Sequence, residues 1–347
     1  MSGSSGNRPD GAGRAARATG LQAVDAALGE LRSHFAGSDA TDALQCGRYT
    51  VVSGIGRGAV ADVFAAVRDG ERSARWAVKL LRPGADGEET LRRFAREQDL
   101  LRAVTHPNVI PIVDAGMHES GCPWFAMPLV DGPPLTHAAD DAGLGVEARI
   151  ELAREAFAGV AALHANGIVH RDVKPGNALA EPHGNGLRVR IIDCGIARAL
   201  GGHASQLTPM GVAHRLGTPA YMAPEQWECG IAACDARADV FALGIVLGEL
   251  ACGIVPRDGA WKSATSNTPR GRRRPGGACP PSVSFSRWLE LEPDAASAAM
   301  RARGRRSPER FVEELRERVD HAVLAMTAED PETRPRDARE AMSLLGR

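Results

Sequence analysis

No Cys-x-x-Cys pair occurs among the seven cysteines, at positions 46, 122, 194, 229, 234, 252 and 279. That spacing argues against a zinc ribbon and points to free thiols in a reducing compartment. A run of about 18 apolar residues is also missing, and the N-terminus lacks the apolar core of a signal peptide, so a soluble, cytoplasmic protein without a membrane partner is expected. Charge of one sign is not in excess: 42 Lys and Arg face 43 Asp and Glu, a net charge of -1. A general affinity for nucleic acid or anionic membrane is thereby excluded, and an electrostatic partner would have to be recognised by a local patch. No internal repeat is found. What the chain does have is 347 residues with 44% hydrophobic content, enough for one large core or two smaller ones.

The opening MSGSSGNRPDGAGRAARATG has almost nothing to bury and reads as a disordered tail. Leu21, Val24, Leu28, Leu31 and Phe35 follow at helical spacing and predict a short amphipathic helix. From Arg48 the pattern changes to short β-rich runs, RYTVVSGI, DVFAAVR, ARWAVKLL, VIPIVDAGM and PWFAMPLV, with a helix at about 88–104 between them. Beyond Asp131 the chain turns helical. Val146, Ile150, Ala153, Phe157, Val160 and Leu163 mark one apolar face, closed by Asn166 and Gly167.

Four short stretches carry chemistry. GIGRGAVADVF, 54–64, has glycines at 56 and 58 that let backbone approach a ligand, although alone it reads equally well as a glycine-containing hairpin. In RWAVKLL, Lys79 sits in an apolar strand and needs a partner, for which Glu97 of RFAREQDLL is the nearest candidate. In GIVHRDVKPGNALA, 167–180, Asp172 and Asn177 are five residues apart on a tight loop, close enough to present a proton acceptor and a metal ligand to one small volume. In VRIIDCGIAR a branched apolar run ends in Asp193, an oxygen ligand suited to magnesium.

Taken in order with GTPAYMAPEQ at 217–226, these stretches resemble the eukaryotic-type serine/threonine protein kinases, the bacterial Hanks-type group, over about residues 48–347. The resemblance implies an α+β, two-lobed protein kinase-like fold. A small β-rich N-lobe with one main helix and the hinge would span 48–131, a larger, mainly helical C-lobe 132–347, and residues 1–47 would be an N-terminal extension. It implies an ATP- and magnesium-dependent enzyme that phosphorylates serine or threonine of a protein substrate. Lys79 would hold the α- and β-phosphates and pair with Glu97. Asp172 would accept the substrate hydroxyl proton, Lys174 would neutralise the γ-phosphate, and Asn177 and Asp193 would hold the magnesium ions. Ile55, Gly56, Arg57 and Gly58 would form the phosphate loop, and Val63, Ala77 and Leu179 would sandwich the adenine. Pro128 would offer its carbonyl and Val130 its N–H to the base, with Met127 behind them. Thr218 would contact the catalytic loop, Glu225 would pair with Arg334, and Asp239 would brace the loop from a buried helix. Lys174 and Thr218 favour serine or threonine over tyrosine.

Two positions depart from the pattern. Ala61 replaces the third glycine of the phosphate loop, a small change. Cys194 replaces the usual phenylalanine in a column with Leu101, Ile112 and His170, at a cost in burial of about 1–2 kcal/mol. Arg171 before Asp172 implies docking of a phosphorylated activation loop, with Thr208 and then Ser205 as autophosphorylation sites. Residues 253–310 form an irregular insertion carrying PRGRRRPGG and RARGRRS. Without interleaved aromatics these basic runs are solvated loops or a dock for an acidic or phosphorylated partner, not a nucleic-acid site. Homodimerisation as an activating step is left open. The alternatives are a pseudokinase scaffold or nucleotide sensor, which would usually have lost Lys79, Asp172 or Asp193, and a small-molecule phosphotransferase, which would lack the 217–226 segment.

Overall fold

The computed structural model describes residues 44–57, 61–81, 98–194, 219–228, 234–252 and 319–346. The expected tail and helix before residue 44, and the basic insertion at 253–310, lie outside them. The described residues fall in two units: unit 1 holds those at 44–81 and 112–129, and unit 2 holds 98–111 and those from 130 onward.

Unit 1 is an antiparallel sheet of β1 (Gln45–Cys46), β2 (Tyr49–Arg57), β3 (Ala61–Arg68), β4 (Trp76–Leu81), β5 (Asp114–Met117) and β6 (Pro123–Pro128), in the order β1-β2-β3-β4-β6-β5. The expected boundary at residue 48 falls inside the β1–β2 hairpin, because Gln45 and Cys46 pair with Thr50 and Tyr49. Directly opposed residues of antiparallel strands share a face. The register Phe64–Val78–Ala126 and the pair Leu80–Trp124 therefore build one apolar side, on which Tyr49 packs edge-on against Trp76 and Trp124. Burying a Phe, Val or Leu there is worth roughly 1.5–3 kcal/mol each.

The indole of Trp124 also explains two glycines. A Cβ on Gly47, in the β1–β2 turn with φ +59, would lie 2.8 Å from the ring, and one on Gly116 of β5 would lie 3.0 Å from it. Arg48 in that turn pairs with Asp114 of β5 at 3.0 Å, so the two edges of the strand order meet over the tryptophan. Burial on the apolar side pushes the Cys46 thiol up to about 12, and it stays protonated at neutral pH.

In unit 2, α1 (Leu135–Asp141) and α2 (Val146–Ala165) precede the hairpin of β7 (Ala178–His183) and β8 (Gly186–Ile191); α3 (Pro224–Glu228), α4 (Ala236–Cys252), α5 (Asp320–Met326) and α6 (Ala338–Ser343) follow. The predicted apolar face of α2 is buried throughout. Its end is closed as expected: Gly167 takes φ +72, and the N–H groups of Gly167 and Ile168 return to the carbonyls of His164 and Leu163. Gly159 lets β8 approach, since a Cβ there would lie 2.8 Å from Ile191 and 2.9 Å from the Asn108 carbonyl. Residues 108–110 group with unit 2 because Ile191 exchanges backbone bonds with Asn108 and Ile110, and the Asn108 amide donates to Glu155 and the Val189 carbonyl. The expected helix is described only over 98–103.

Buried Arg149 of α2 pairs with Asp140 at 2.8 Å and donates to the carbonyls of Ala139, Leu144 and Leu250, tying the ends of α1 and α4 to one side chain. Gly132 is equally constrained, because an added Cβ would stand 2.1 Å from the Ala180 carbonyl oxygen. Gly132→Ala is therefore expected to cost about 1–3 kcal/mol, seen as a lower thermal midpoint. Gly186→Ala, where nothing lies within 4 Å of the new Cβ, is expected to stay within about 0.5 kcal/mol of the parent. Equal midpoints for the two variants would contradict the close approach.

Candidate active site

The sheet register groups the residues that the sequence singled out in unit 1. Val63, Lys79 and Phe125 are opposed across β3, β4 and β6, Ala77 opposes Met127, and Gly56 opposes Val63. Gly56, Val63, Ala77, Lys79 and Met127 thus share the face opposite the tryptophan core. Lys79 is buried within β4, with its ammonium 6.0 Å from the Phe125 ring centroid. The register shifts between Val51 and Ser53 and again between Gly54 and Gly56. The residues skipped, Val52 and Ile55, are each 47% exposed. Ile55 and Arg57 lie toward the end of β2, whereas Gly58 and Glu97 lie outside the described residues, and with them the expected Lys79–Glu97 pair.

In unit 2 the β7–β8 hairpin does the grouping. Ala178 opposes Ile191 as its last pair, and the Ile192 N–H then donates to the Asn177 carbonyl at 2.9 Å. Asn177, one residue before β7, and Asp193, two residues after β8, therefore emerge at the hairpin's open end. A short 3₁₀ turn, Pro175–Asn177, brings the loop back so that the Asn177 amide donates to Asp172, at 2.8 Å to the backbone oxygen and 3.1 Å to Oδ2. Lys174 Nζ approaches the same Oδ2 at 3.0 Å. Asp172, Lys174 and Asn177 form one hydrogen-bonded cluster.

Asp239, in the first turn of α4 and 1% exposed, anchors the loop from below. Its carboxylate accepts the backbone N–H of His170 at 2.6 Å and that of Arg171 at 2.7 Å. His164 Nε2 adds a third bond at 2.9 Å. Because His164 Nδ1 accepts the Ala338 N–H, the ring proton sits on Nε2 and donates to Asp239. The same reasoning applies to His170, whose Nδ1 accepts from the Asp172 N–H while Nε2 donates to the Ile192 carbonyl. Three donors on a buried carboxylate offset its desolvation.

Among the described residues, the two non-glycine residues with left-handed backbone both lie here, Arg171 at φ 64 and Asp193 at φ 62. Aspartate tolerates this conformation better than arginine, so the surroundings must hold Arg171 in place. Cys194, beside Asp193, is buried, as are Leu101 and His170. Val130 is partly buried, and its N–H donates to no described residue. Leu179 stands in β7 opposite Arg190 and forms a bridge with Pro134.

Tyr221, Gln226 and Glu225 fasten the segment 219–228. Tyr221 donates to Glu249, which also accepts from Thr136. Gln226, whose side chain accepts the Ala223 N–H, donates to the Arg171 carbonyl. Glu225 receives Arg334 bidentately at 2.6 and 3.0 Å, which forms the implied pair. A pocket beside this segment is lined by Arg171, Asp172, Tyr221, Met222, Gln226 and Asp239. Thr218, Thr208 and Ser205 lie outside the described residues.

The donor set fits magnesium. The Asn177 amide directs both N–H bonds at Asp172, which leaves its carbonyl oxygen as the acceptor to offer, and Asp193 adds a carboxylate. Two protein oxygens suit an ion that completes its shell with water and phosphate. No cluster of three or more His, Cys, Asp or Glu side chains able to hold a metal occurs among the described residues.

Sequence signals missed Gln226 and His164. The histidine in the last turn of α2, three residues before a glycine stop, was the one available cue.

Comparison with known proteins identifies the family. The protein kinase domain family matches residues 49–338. The DNA damage-responsive serine/threonine-protein kinase RqkA of Deinococcus radiodurans is 43% identical over 218 residues, 61% of this chain and 31% of that protein. The serine/threonine-protein kinase PrkC of Bacillus subtilis is 35% identical over 235 residues, 65% of this chain and 35% of that protein. The chain thus spans about a third of the length of these curated relatives. Among solved structures, the PknI kinase domain of Mycobacterium tuberculosis is similar at 25% identity and a TM-score of 0.56, covering 86% of this chain and 94% of that one. Rad53 in complex with AMP-PNP has the same fold, at 21% identity and a TM-score of 0.55, covering 85% of this chain and 64% of that one. The β-rich unit and the helical unit are those of a kinase fold, and the chain belongs to the protein kinase domain family.

Proposed function

We propose that the protein is a serine/threonine protein kinase that transfers the γ-phosphate of ATP to a protein hydroxyl. The observation that carries this reading is the Asp172–Lys174–Asn177 cluster at the hairpin end from which Asp193 emerges. Its relatives are serine/threonine kinases, and Lys79, Asp172 and Asp193, one of which a pseudokinase would usually have lost, are all present.

In unit 1, Lys79 would bind the α- and β-phosphates, with Gly56 giving the backbone room to approach them. Ile55, Arg57 and Gly58 complete the proposed phosphate loop. Val63 and Ala77 offer apolar contact to adenine, Met127 closes their face of the sheet, and Pro128 contributes a carbonyl. In unit 2, the Val130 N–H and the Leu179 side chain would offer a hydrogen bond and an apolar contact to adenine. Asn177 and Asp193 would hold magnesium, which when bound neutralises charge on the phosphates. Asp172 orients the attacking hydroxyl and takes its proton, and Lys174 offsets charge on the γ-phosphate. Because phosphoryl transfer has a loose transition state, positioning and electrostatics supply most of the acceleration. Glu97 and Thr218 remain part of this proposal, as does autophosphorylation at Thr208 or Ser205. No helix among the described residues is long and apolar enough to cross a membrane. The buried thiols of Cys46 and Cys122 support a cytoplasmic setting.

The test is phosphopeptide mapping after incubation with ATP and magnesium, beside Lys79→Ala and Asp193→Ala. Both variants are expected to lose transfer, and Asp193→Ala is expected to lose the thermal stabilisation that ATP with magnesium gives the parent, since a ligand stabilises only the state that binds it. Transfer retained by Asp193→Ala above a few per cent of the parent would make the magnesium role wrong.

A further inference from the structure

We propose that Gln226 is a positioning residue for Asp172, acting through the peptide bond that joins Arg171 to it; this rests on the kinase reading of the site. The peptide in question is held at both of its polar ends. On one side the Asp172 N–H donates to His170 Nδ1 at 3.3 Å. On the other side the Arg171 carbonyl accepts from Gln226 Nε2 at 3.3 Å.

The Gln226 amide is itself fixed. Its Oε1 accepts the Ala223 N–H at 2.8 Å, and a backbone N–H can only donate. Oε1 must therefore face Ala223, which turns the NH₂ toward the Arg171 carbonyl, a group that can only accept. The side chain is 6% exposed, so neither bond is readily exchanged for water.

Position matters here because of the backbone strain next to Asp172. Arg171 occupies φ 64, a conformation a non-glycine residue keeps only when its neighbours over-determine it. Asp239 holds its N–H from α4, and Gln226 holds its carbonyl from α3. Rotation of the 171–172 peptide would swing the Asp172 carboxylate away from Lys174 and Asn177. The glutamine thus links the segment 219–226 to the carboxylate without touching the reacting atoms.

Two substitutions separate the parts of this arrangement. Gln226→Glu keeps an acceptor for the Ala223 N–H but presents an oxygen to the Arg171 carbonyl. Gln226→Met keeps the length and removes both bonds. Parent and variants are assayed with magnesium, ATP and a histone mixture as acceptor, with thermal midpoints and deuterium uptake over residues 168–173 and over α2 measured on the same samples of the 347-residue chain. In both variants kcat, assayed well below each variant's own midpoint, is expected to fall about ten- to a hundredfold, with the KM for ATP within about twofold of the parent. The midpoint is expected to fall by several degrees, because each variant leaves buried polar groups unpaired. Uptake is expected to quicken over 168–173 and not over the helix α2. An unchanged kcat, a loss carried by the KM for ATP, or uptake that is unchanged over 168–173 or quickens equally over α2 would each overturn the proposal. If the parent transfers no phosphate, the kinase reading falls separately. The comparison of uptake over 168–173 with that over α2 then decides alone whether Gln226 holds the 171–172 peptide.

Discussion

Asp172→Asn is expected to lower phosphate transfer by about 10³-fold while leaving the thermal midpoint where it is. The substitution keeps the shape of the side chain and an oxygen for Lys174 and Asn177, and removes only the capacity to take a proton as a carboxylate. Its structural cost is small for a definite reason. The Asp172 and Lys174 side chains are 20% and 24% exposed, and a solvent-screened pair of this kind contributes at most about 1 kcal/mol. The loop is held instead by Asp239, whose three bonds the substitution does not touch. Single-turnover transfer to a protein acceptor, with differential scanning calorimetry of the same samples, measures both halves of the expectation. More than a tenth of parental turnover in Asp172→Asn would remove Asp172 from the proposed chemistry.

Glu225→Leu is expected to have the opposite signature, a large loss of stability. Arg334 has a fully buried side chain. All five of its N–H groups are used, two on Glu225 and the others on the carbonyls of Ala328, Glu329 and Arg237, and its guanidinium lies 4.9 Å from the Phe241 ring. Removing the carboxylate strands a cation in the interior, a defect that costs about 3 kcal/mol or more and would lower the midpoint of a unit this size by about 6–12 °C. Arg334→Leu added to Glu225→Leu is expected to recover part of that loss, because the double variant no longer buries an unpaired charge. A midpoint for Glu225→Leu within 2 °C of the parent would show that the pair contributes little.

How much of this was legible in the sequence depends on the range of the interaction concerned. The helix from Val146 to Ala165 was readable because its apolar spacing and its Asn166–Gly167 stop are local properties of the chain. Asp172 and Asn177 could be placed together because a tight loop of five residues leaves them little choice. β1 was not readable, since two residues carry no periodicity, and neither were the shifts that leave Val52 and Ile55 exposed on β2. Gln226 escaped for a different reason. Its significance comes from meeting the carbonyl of a residue 55 positions away, and nothing in PEQWE distinguishes that glutamine from a solvated one. His164 lies between these cases, a visible residue whose partner on α4 the sequence does not name.

The β7–β8 hairpin sets different tolerances for its tip and its rails. Asn177 and Asp193 are sixteen positions apart, yet their juxtaposition depends only on the pairing Ala178 to Ile191 and not on the turn at Gly184 and Asn185. Extra residues inserted at that turn would loop outward and leave the open end as it is. Deleting one residue from within either strand would be far more damaging, because side chains alternate sides along a strand and a slip of one position turns every later residue over. Natural variation in length should therefore collect at 184–185, and the six paired positions on each rail should keep their count.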